Sequence, residues 1–386
     1  MQRGTFQQMK SVNKAIILNK IRTDAPISRA QIAKETKLTP PTVSSIVKEL
    51  IEQGIVSESN LGESQGGRKP TMLLINSSAF YIIGVDAGPE MVKCILTDLS
   101  GKVIERTESN IDMPITNDRF LSILKQRVQH LLDVTNQREQ EILGIGVAMH
   151  GVVDVETGVS LIAPNLKLKD IPIKDELEKS FGLHVKVEND ARAMALGEYW
   201  FGGHGDLDSM AAVNIGRGVG AGVVIRGKLY HGAQDLAGEF GHMTIDIHGE
   251  TCECGNRGCL QTFATGAAIG ERARLNNNTE KLTGEEVFLR ANSGKEGYIR
   301  VLQETGEIIG IGLTNLIHLI NPRKIVLGGG VMKSEKFLLP VIKQTIDQRV
   351  LTPGAKQTEV VVTNLGKDAT LLGAVALLLV ELFDPV

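Results

Sequence analysis

The chain has 386 residues, of which 42% are hydrophobic and 23% charged, with a formal charge of −3 and four cysteines. That length allows two or three compact units, and the composition excludes a disordered, collagen-like or disulfide-scaffold protein. The longest apolar run, Gly373 to Val380, is too short to cross a bilayer, the polar first residues carry no secretory signal, and clustered thiols without a disulfide framework suit a reducing cytoplasm.

Charge is unevenly placed. Residues 1–75 hold 11 Lys and Arg against 6 Asp and Glu, and the remainder holds 31 against 39. A basic head on an acidic body points to a polyanion partner for the head. Helical periodicity begins near Ser11, with Val12, Ile16, Ile17 and Ile21 on one face, and Asp24-Ala25-Pro26 ends it. Ser28 with Gln31 three residues on reads as a capping box for a short helix that turns Ile32 and Ala33 inward. Thr39 caps a third helix. Pro40 and Pro41 are tolerated in its first turn because those N–H groups have no helical partner. Its buried stripe is Val43, Ile46, Val47, Leu50 and Ile51, and Gly54 stops it. The pattern is a helix-turn-helix. The N-terminal end of its last helix offers Thr39, Pro41, Thr42, Ser45 and Lys48 to a DNA major groove. Strands expected over 55–58 and 72–75 flank a wing over 60–70, whose Arg68 and Lys69 can reach phosphate or a narrow minor groove.

From Tyr81 strands and helices alternate. Strands are expected over 81–85, 91–97 and 102–108, then a helix over 118–134 and a buried strand over 143–149, with Cys94 in the core. The order returns at Met210, with strands over 210–215, 221–225 and 228–231 around Gly216-Arg217-Gly218-Val219-Gly220 and Arg226-Gly227. This repetition predicts two similar α/β lobes facing a cleft where a ligand binds. The expected division is a winged helix-turn-helix over 1–75, a first lobe over 76–200 joined by a C-terminal helix over 368–386, and a second lobe over 201–367.

Paired glycine turns can hold phosphates, because glycine lets backbone N–H groups face an anion. Gly216 to Gly222 suits that role, but the first turn does not: Pro89 lacks an N–H and Glu90 puts negative charge where phosphate would sit. Other polar groups fit a sugar better. Asn165 lies in a loop, and Glu188-Asn189-Asp190 ends a strand over 185–187 and opens a helix that runs to Trp200. Asp190 there can equally be an N-cap. With Glu239, these are the short amides and carboxylates that grip hydroxyls.

Cys252, Cys254 and Cys259 fall within eight residues, broken by Glu253, Asn256, Arg257 and flexible glycines, so they are no buried apolar run. Three thiolates and one imidazole make a closed tetrahedral zinc site, with His242 or His248 as the fourth ligand. Such a site fixes its loop, and with it Glu239 and Gln261.

Gly238-Glu239-Phe240-Gly241-His242, the run Cys252 to Leu260, Glu188-Asn189-Asp190-Ala191 and Gly328-Gly329-Gly330-Val331 resemble the ROK family of transcriptional repressors and sugar kinases, whose fold is actin-like and ribonuclease H-like. The helix-turn-helix and the Gly67-Arg68-Lys69-Pro70 wing look like the repressor branch, and most like the xylose repressors of Gram-positive bacteria. The resemblance implies that Asn165, Asn189, Asp190, Glu239 and His242 bind a sugar, and that His242, Cys252, Cys254 and Cys259 bind structural zinc. Gln261 stands where the family usually has Glu, which exchanges a charged acceptor for a neutral amide. The family's kinases carry other residues at Pro89, Glu90 and Arg217, which weakens an ATP site.

The expectation is therefore a cytoplasmic, non-enzymatic repressor, a homodimer or higher oligomer on a palindromic operator, released by a sugar such as xylose. The alternative is a sugar kinase with an appended DNA-binding head, in which Asp190 would be the general base. A catalytic zinc needs an open coordination position, which four protein ligands would close.

Overall fold

The computed structural model describes residues 12–59, 70–135, 142–205 and 207–383. It divides into two units, one of Met1–Met149, Val155–Glu188 and Ala374–Val386, the other of His150–Asp154 and Asn189–Gly373.

The first unit begins with helices Val12–Asp24, Arg29–Thr36 and Pro40–Glu52. Ile17, Leu18, Ile21, Ile32, Val43, Val47 and Leu50 close their shared core. Val12 is 51% exposed, and Leu18 takes the inward place expected for it. The caps form as their chemistry requires: Ser28 accepts the Gln31 N–H at 3.2 Å, and Thr39 accepts the Thr42 N–H at 3.4 Å. The Gln31 side chain turns instead to Glu35, at 2.9 Å, so only the Ser28 half of the capping box is built. Strands Val56–Ser59 and Met72–Ile75 pair antiparallel, and an unexpected two-residue strand, Ile27–Ser28, adds to Met72–Ile75 on its other side.

A five-stranded sheet follows in the order Val185–Asn189, Ile142–Met149, Tyr81–Ala87, Met91–Asp98, Val103–Asn110. The last three form an antiparallel meander, and Ile142–Met149 lies parallel to Tyr81–Ala87. Every residue of Ile142–Met149 is buried, as its unbroken apolar run demands of a strand covered on both faces. Val103–Asn110 alternates between half-buried and exposed, as an edge strand with one wet face does. Helix Ala369–Phe383 packs on this sheet so closely that a methyl on Gly146 would come 1.8 Å from the Ala374 carbonyl oxygen.

The second unit repeats the plan. Its sheet runs Lys228–Leu229, Val219–Ile225, Ser209–Ile215, Lys324–Gly328, Glu359–Val362, with an antiparallel meander and then two parallel strands. Helix Glu296–Ile320 packs with Glu335–Arg349 in its core. Helix Asp190–Phe201 groups with the second unit. A methyl on Gly220 would sit 2.8 Å from the Ala191 Cβ, and one on Gly222 2.5 Å from the Ala195 Cβ, so strand Val219–Ile225 takes this helix in direct contact. The last helix is shared, because its residues from Ala374 onward go with the first unit.

Candidate functional site

The helix-turn-helix presents a polar face opposite its core. Thr39, Pro41, Ser45 and Lys48 are exposed and Thr42 is half-buried. The Thr39 hydroxyl is occupied by its cap and lies 2.8 Å from the Thr42 hydroxyl, so this pair braces the helix start. Lys48 is 78% exposed, and its ammonium lies 3.8 Å from a Glu52 carboxylate oxygen. Arg68 and Lys69 lie outside the described residues.

In the second unit the cysteine loop is folded by its own backbone. The Cys252 N–H donates to the Asn256 carbonyl at 2.7 Å, Gly258 N–H to Glu250 at 2.8 Å, and Leu260 N–H to Met243 at 2.8 Å. Gly258 has φ +65, and a methyl there would meet the Asp246 carbonyl oxygen at 1.5 Å, so the turn admits only glycine. These bonds bring one atom each of His242, Cys252, Cys254 and Cys259 within 4.8 Å of one another. His248 is exposed and outside this group, its N–H bonded to the Asp246 carboxylate. Cys254 Sγ and Cys259 Sγ lie 3.7 Å apart, and Cys252 Sγ lies 3.7 Å from His242 Nδ1. Two sulfurs about 2.3 Å from a tetrahedral ion would stand about 3.8 Å apart, so the spacing and the donor set fit a thiophilic metal. The backbone N–H of Asn256 pulls the Cys254 thiol down to about 7, while burial pushes Cys259 up to about 12.

His242 has two faces. Its Nδ1 meets Cys252, and its Nε2 lies 3.8 Å from a Glu239 carboxylate oxygen. The short 3-10 turn Phe240–His242 holds the two residues together, with the His242 N–H on the Glu239 carbonyl. This turn leans on strand Val219–Ile225, where Ala221 N–H donates to the Gly238 carbonyl at 2.8 Å. The same end of that strand carries the start of helix Asp190–Phe201. Strand Val219–Ile225 thus touches both the residue after Asp190, through Gly220 and Ala191, and the segment that carries Glu239 and His242. Gln261 joins through sulfur, its Nε2 3.2 Å from Cys252 Sγ.

Asn189, not Asp190, is the helix cap. Its Oδ1 accepts the N–H groups of Ala191 and Arg192, and its Nδ2 donates to the Gly151 carbonyl at 2.9 Å. The amide is engaged on both sides, so Asn189 holds the loop while Asp190 stays half-buried beside it. Asn165 is exposed on the 3-10 turn Pro164–Leu166 of the first unit. Sequence reasoning missed Arg192. It is 1% exposed and its guanidinium donates to the Asp235 carbonyl at 2.6 Å, fastening the loop that leads to Glu239. A lone arginine on a helix reads as a solvated charge, and nothing local distinguishes this one.

The two glycine turns differ. Asp86, before the first, has its carboxyl raised by burial, with Lys93 at 3.8 Å opposing the shift. In the second, Gly216 N–H closes onto the Gly218 carbonyl, and Arg217 is exposed.

Residues 82–381 match the ROK family, and residues 16–57 match a winged helix-turn-helix DNA-binding domain. The chain belongs to the ROK family. It is 33% identical to the xylose repressor of Bacillus subtilis over 97% of both chains, and 31% identical to the N-acetylglucosamine repressor of Escherichia coli O157:H7 over 90% of this chain and 87% of that one. Among solved structures, a ROK transcriptional regulator homologous to the E. coli Mlc protein matches with TM-score 0.87 at 29% identity, covering 98% of this chain and 97% of that one. The ROK glucokinase of Streptomyces griseus, solved with glucose and AMPPNP, matches with TM-score 0.68 at 28% identity, covering 77% of this chain and 98% of that one. The expected α/β architecture is borne out: a winged helix-turn-helix precedes an actin-like ROK body. No helix among the described residues is long and apolar enough to cross a membrane.

Proposed function

We propose that this chain is a sugar-released transcriptional repressor. The carrying observation is the joining of an exposed, capped recognition helix to a ROK body in one chain that a xylose repressor matches over 97% of both lengths. Two copies on a two-fold axis would read a palindromic operator in the cytoplasm, each placing Pro41, Ser45 and Lys48 in a major groove. The sugar is bound by Asp190, Glu239 and His242, with Gln261 beside them and Asn189 shaping the loop. Xylose is the proposed inducer. The likeness to an N-acetylglucosamine repressor at nearly the same identity is why the sugar must be tested directly. The His/Cys3 group is proposed to hold structural zinc, which would cross-link the loop and leave the His242 Nε2 to the ligand side. Release requires the sugar to favour the conformation that binds DNA poorly; equal affinity for both would switch nothing.

The test is a titration of the protein onto fluorescent DNA from upstream of its gene, with a panel of pentoses and hexoses. Specific binding released by xylose alone is expected, and binding indifferent to every sugar would refute the reading. Lys48→Ala should weaken binding across sequences and lower the salt slope by about 1.

A kinase is the second reading, favoured by the likeness to a ROK glucokinase and by Asp190, a carboxylate suited to accept a hydroxyl proton. Pro89, Glu90 and Arg217 weigh against phosphate binding. Sugar-dependent ATP turnover that Asp190→Asn abolishes would establish it.

A further inference from the structure

One residue touches both halves of the proposed sugar site. Arg192 stands two residues after Asp190 on helix Asp190–Phe201, and its backbone N–H donates to Asn189 Oδ1 at 3.1 Å. A methyl on Gly222 would come 2.7 Å from the Arg192 Cα, so this residue lies hard against strand Val219–Ile225. Its side chain is buried and ends on the loop that leads to Glu239. There Nη1 donates to the Asp235 carbonyl at 2.6 Å and lies 3.5 Å from the Ala237 carbonyl. A guanidinium out of water is tolerated only where acceptors replace its hydration. Main-chain carbonyls do so here, and because they belong to the backbone the contact fixes the course of the loop itself. Asp235 adopts φ +54, a left-handed conformation that is unfavourable to a residue with a Cβ and persists where neighbours hold it. Tyr230 and Leu236 are exposed, so the outer side of the loop faces solvent. Its far end is pinned, because the Gly238 carbonyl accepts the Ala221 N–H at 2.8 Å and Phe240 is buried. Arg192 clamps the near end.

We propose that Arg192 is a positioning residue of the sugar site: by holding the Asp235 and Ala237 carbonyls to the helix that opens at Asp190, it fixes where the chain delivers the Glu239 carboxylate, and so sets the affinity for the sugar. The inference rests on the sugar reading above. Arginine presents several N–H groups in a rigid plane, which suits carbonyls two residues apart. Lysine keeps the charge but is a compact donor on a flexible stem, so it restores the contact only in part. Methionine keeps a long side chain and removes every donor. A sugar hydroxyl that donates to Glu239 makes a charge-assisted hydrogen bond, and misplacing the carboxylate should lower affinity about 10- to 100-fold.

The experiment uses the full chain and begins with calorimetric titration of the wild type with xylose, glucose and N-acetylglucosamine. Binding of none of them overturns both the sugar reading and this proposal. With the sugar that binds most tightly, the titration is repeated on Arg192→Met, Arg192→Lys, Glu239→Gln and the double variant of Arg192→Met with Glu239→Gln. Affinity should fall about 10- to 100-fold in Arg192→Met and less in Arg192→Lys. If Arg192 acts through Glu239, the double variant should bind within about twofold of Glu239→Gln alone. A merely structural Arg192 would add its own loss to that of Glu239→Gln. Operator binding without sugar and circular dichroism check that each variant is folded, and where Arg192→Met is not, Arg192→Lys carries the same cycle. A wild type that binds sugar, with affinity unchanged in the Arg192 variants or with fully additive losses, overturns the role of Arg192 and leaves the sugar site standing.

Discussion

The two five-stranded sheets share a strand plan but are fastened by different means. In the first unit, Ile142–Met149 is locked by dry packing. Gly144 and Gly146 let helix Ala369–Phe383 lie against the strand backbone, with Leu378 contacting the place where a methyl would be at either glycine. In the second unit, Val219–Ile225 is flanked by the cysteine loop, whose Gly238 and Gly241 back onto the Ala221 and Val219 carbonyls. The first sheet is held against its helix by close side-chain fit, and the second also carries a loop in which four donors converge. A repeated fold need not repeat a job.

The sharpest way to break this contrast is to take the metal away. Structural zinc contributes roughly 10 kcal/mol of apparent binding free energy to the order of a small thiol site. Chelation, or Cys259→Ser, should therefore raise amide hydrogen exchange across 238–265 by several orders of magnitude while leaving 142–149 protected. Equal protection of the loop with and without metal would mean that its backbone bonds alone fold it. The converse perturbation is Gly146→Ala. Its methyl meets the Ala374 carbonyl oxygen at 1.8 Å, so strand and helix must part. A cost of about 3 kcal/mol is expected in urea unfolding, with zinc content unchanged.

The same contrast explains what the sequence made legible. Ser28, Thr39 and the Val43–Val47–Leu50 spacing are local signals, and they located the three helices within a residue or two. The glycine turns and apolar runs gave both meanders. What failed was long-range. Strand Ile27–Ser28 exists only because Met72–Ile75 offers it an edge. Gly220 and Gly222 make room for helix Asp190–Phe201, a fact held in a strand some thirty residues away. His242 and His248 were equivalent by spacing, and the Phe240–His242 turn separates them. The cap expected as the alternative role of Asp190 is made by Asn189, because either type can cap a helix. Arg192 and the Gln261–Cys252 contact depend on partners that no local pattern announces.

A smaller effect tests whether the first unit is held by packing alone. Glu381, on the last helix, lies 2.8 Å from His184 Nε2 and 2.6 Å from Lys186 Nζ. Burial by itself would raise this carboxyl, but the hydrogen bonds from His184 and Lys186 outweigh it and bring it down to about 2. The unfolded carboxyl titrates near 4.3, about two units higher. A depressed folded value stabilises the native state fully above the unfolded value, and that stability is lost as pH falls from there through about 2. Glu381→Gln should thus cost about 2 kcal/mol at pH 7. The deficit should persist to about pH 5 and shrink steadily toward pH 3. Urea unfolding at pH 7, 5 and 3.5 measures it. A deficit that stays constant across that range would assign the loss to packing of the longer contact rather than to charge. The first unit would then be fastened by side-chain fit throughout, which is the stronger form of the contrast with the thiol-bound second unit.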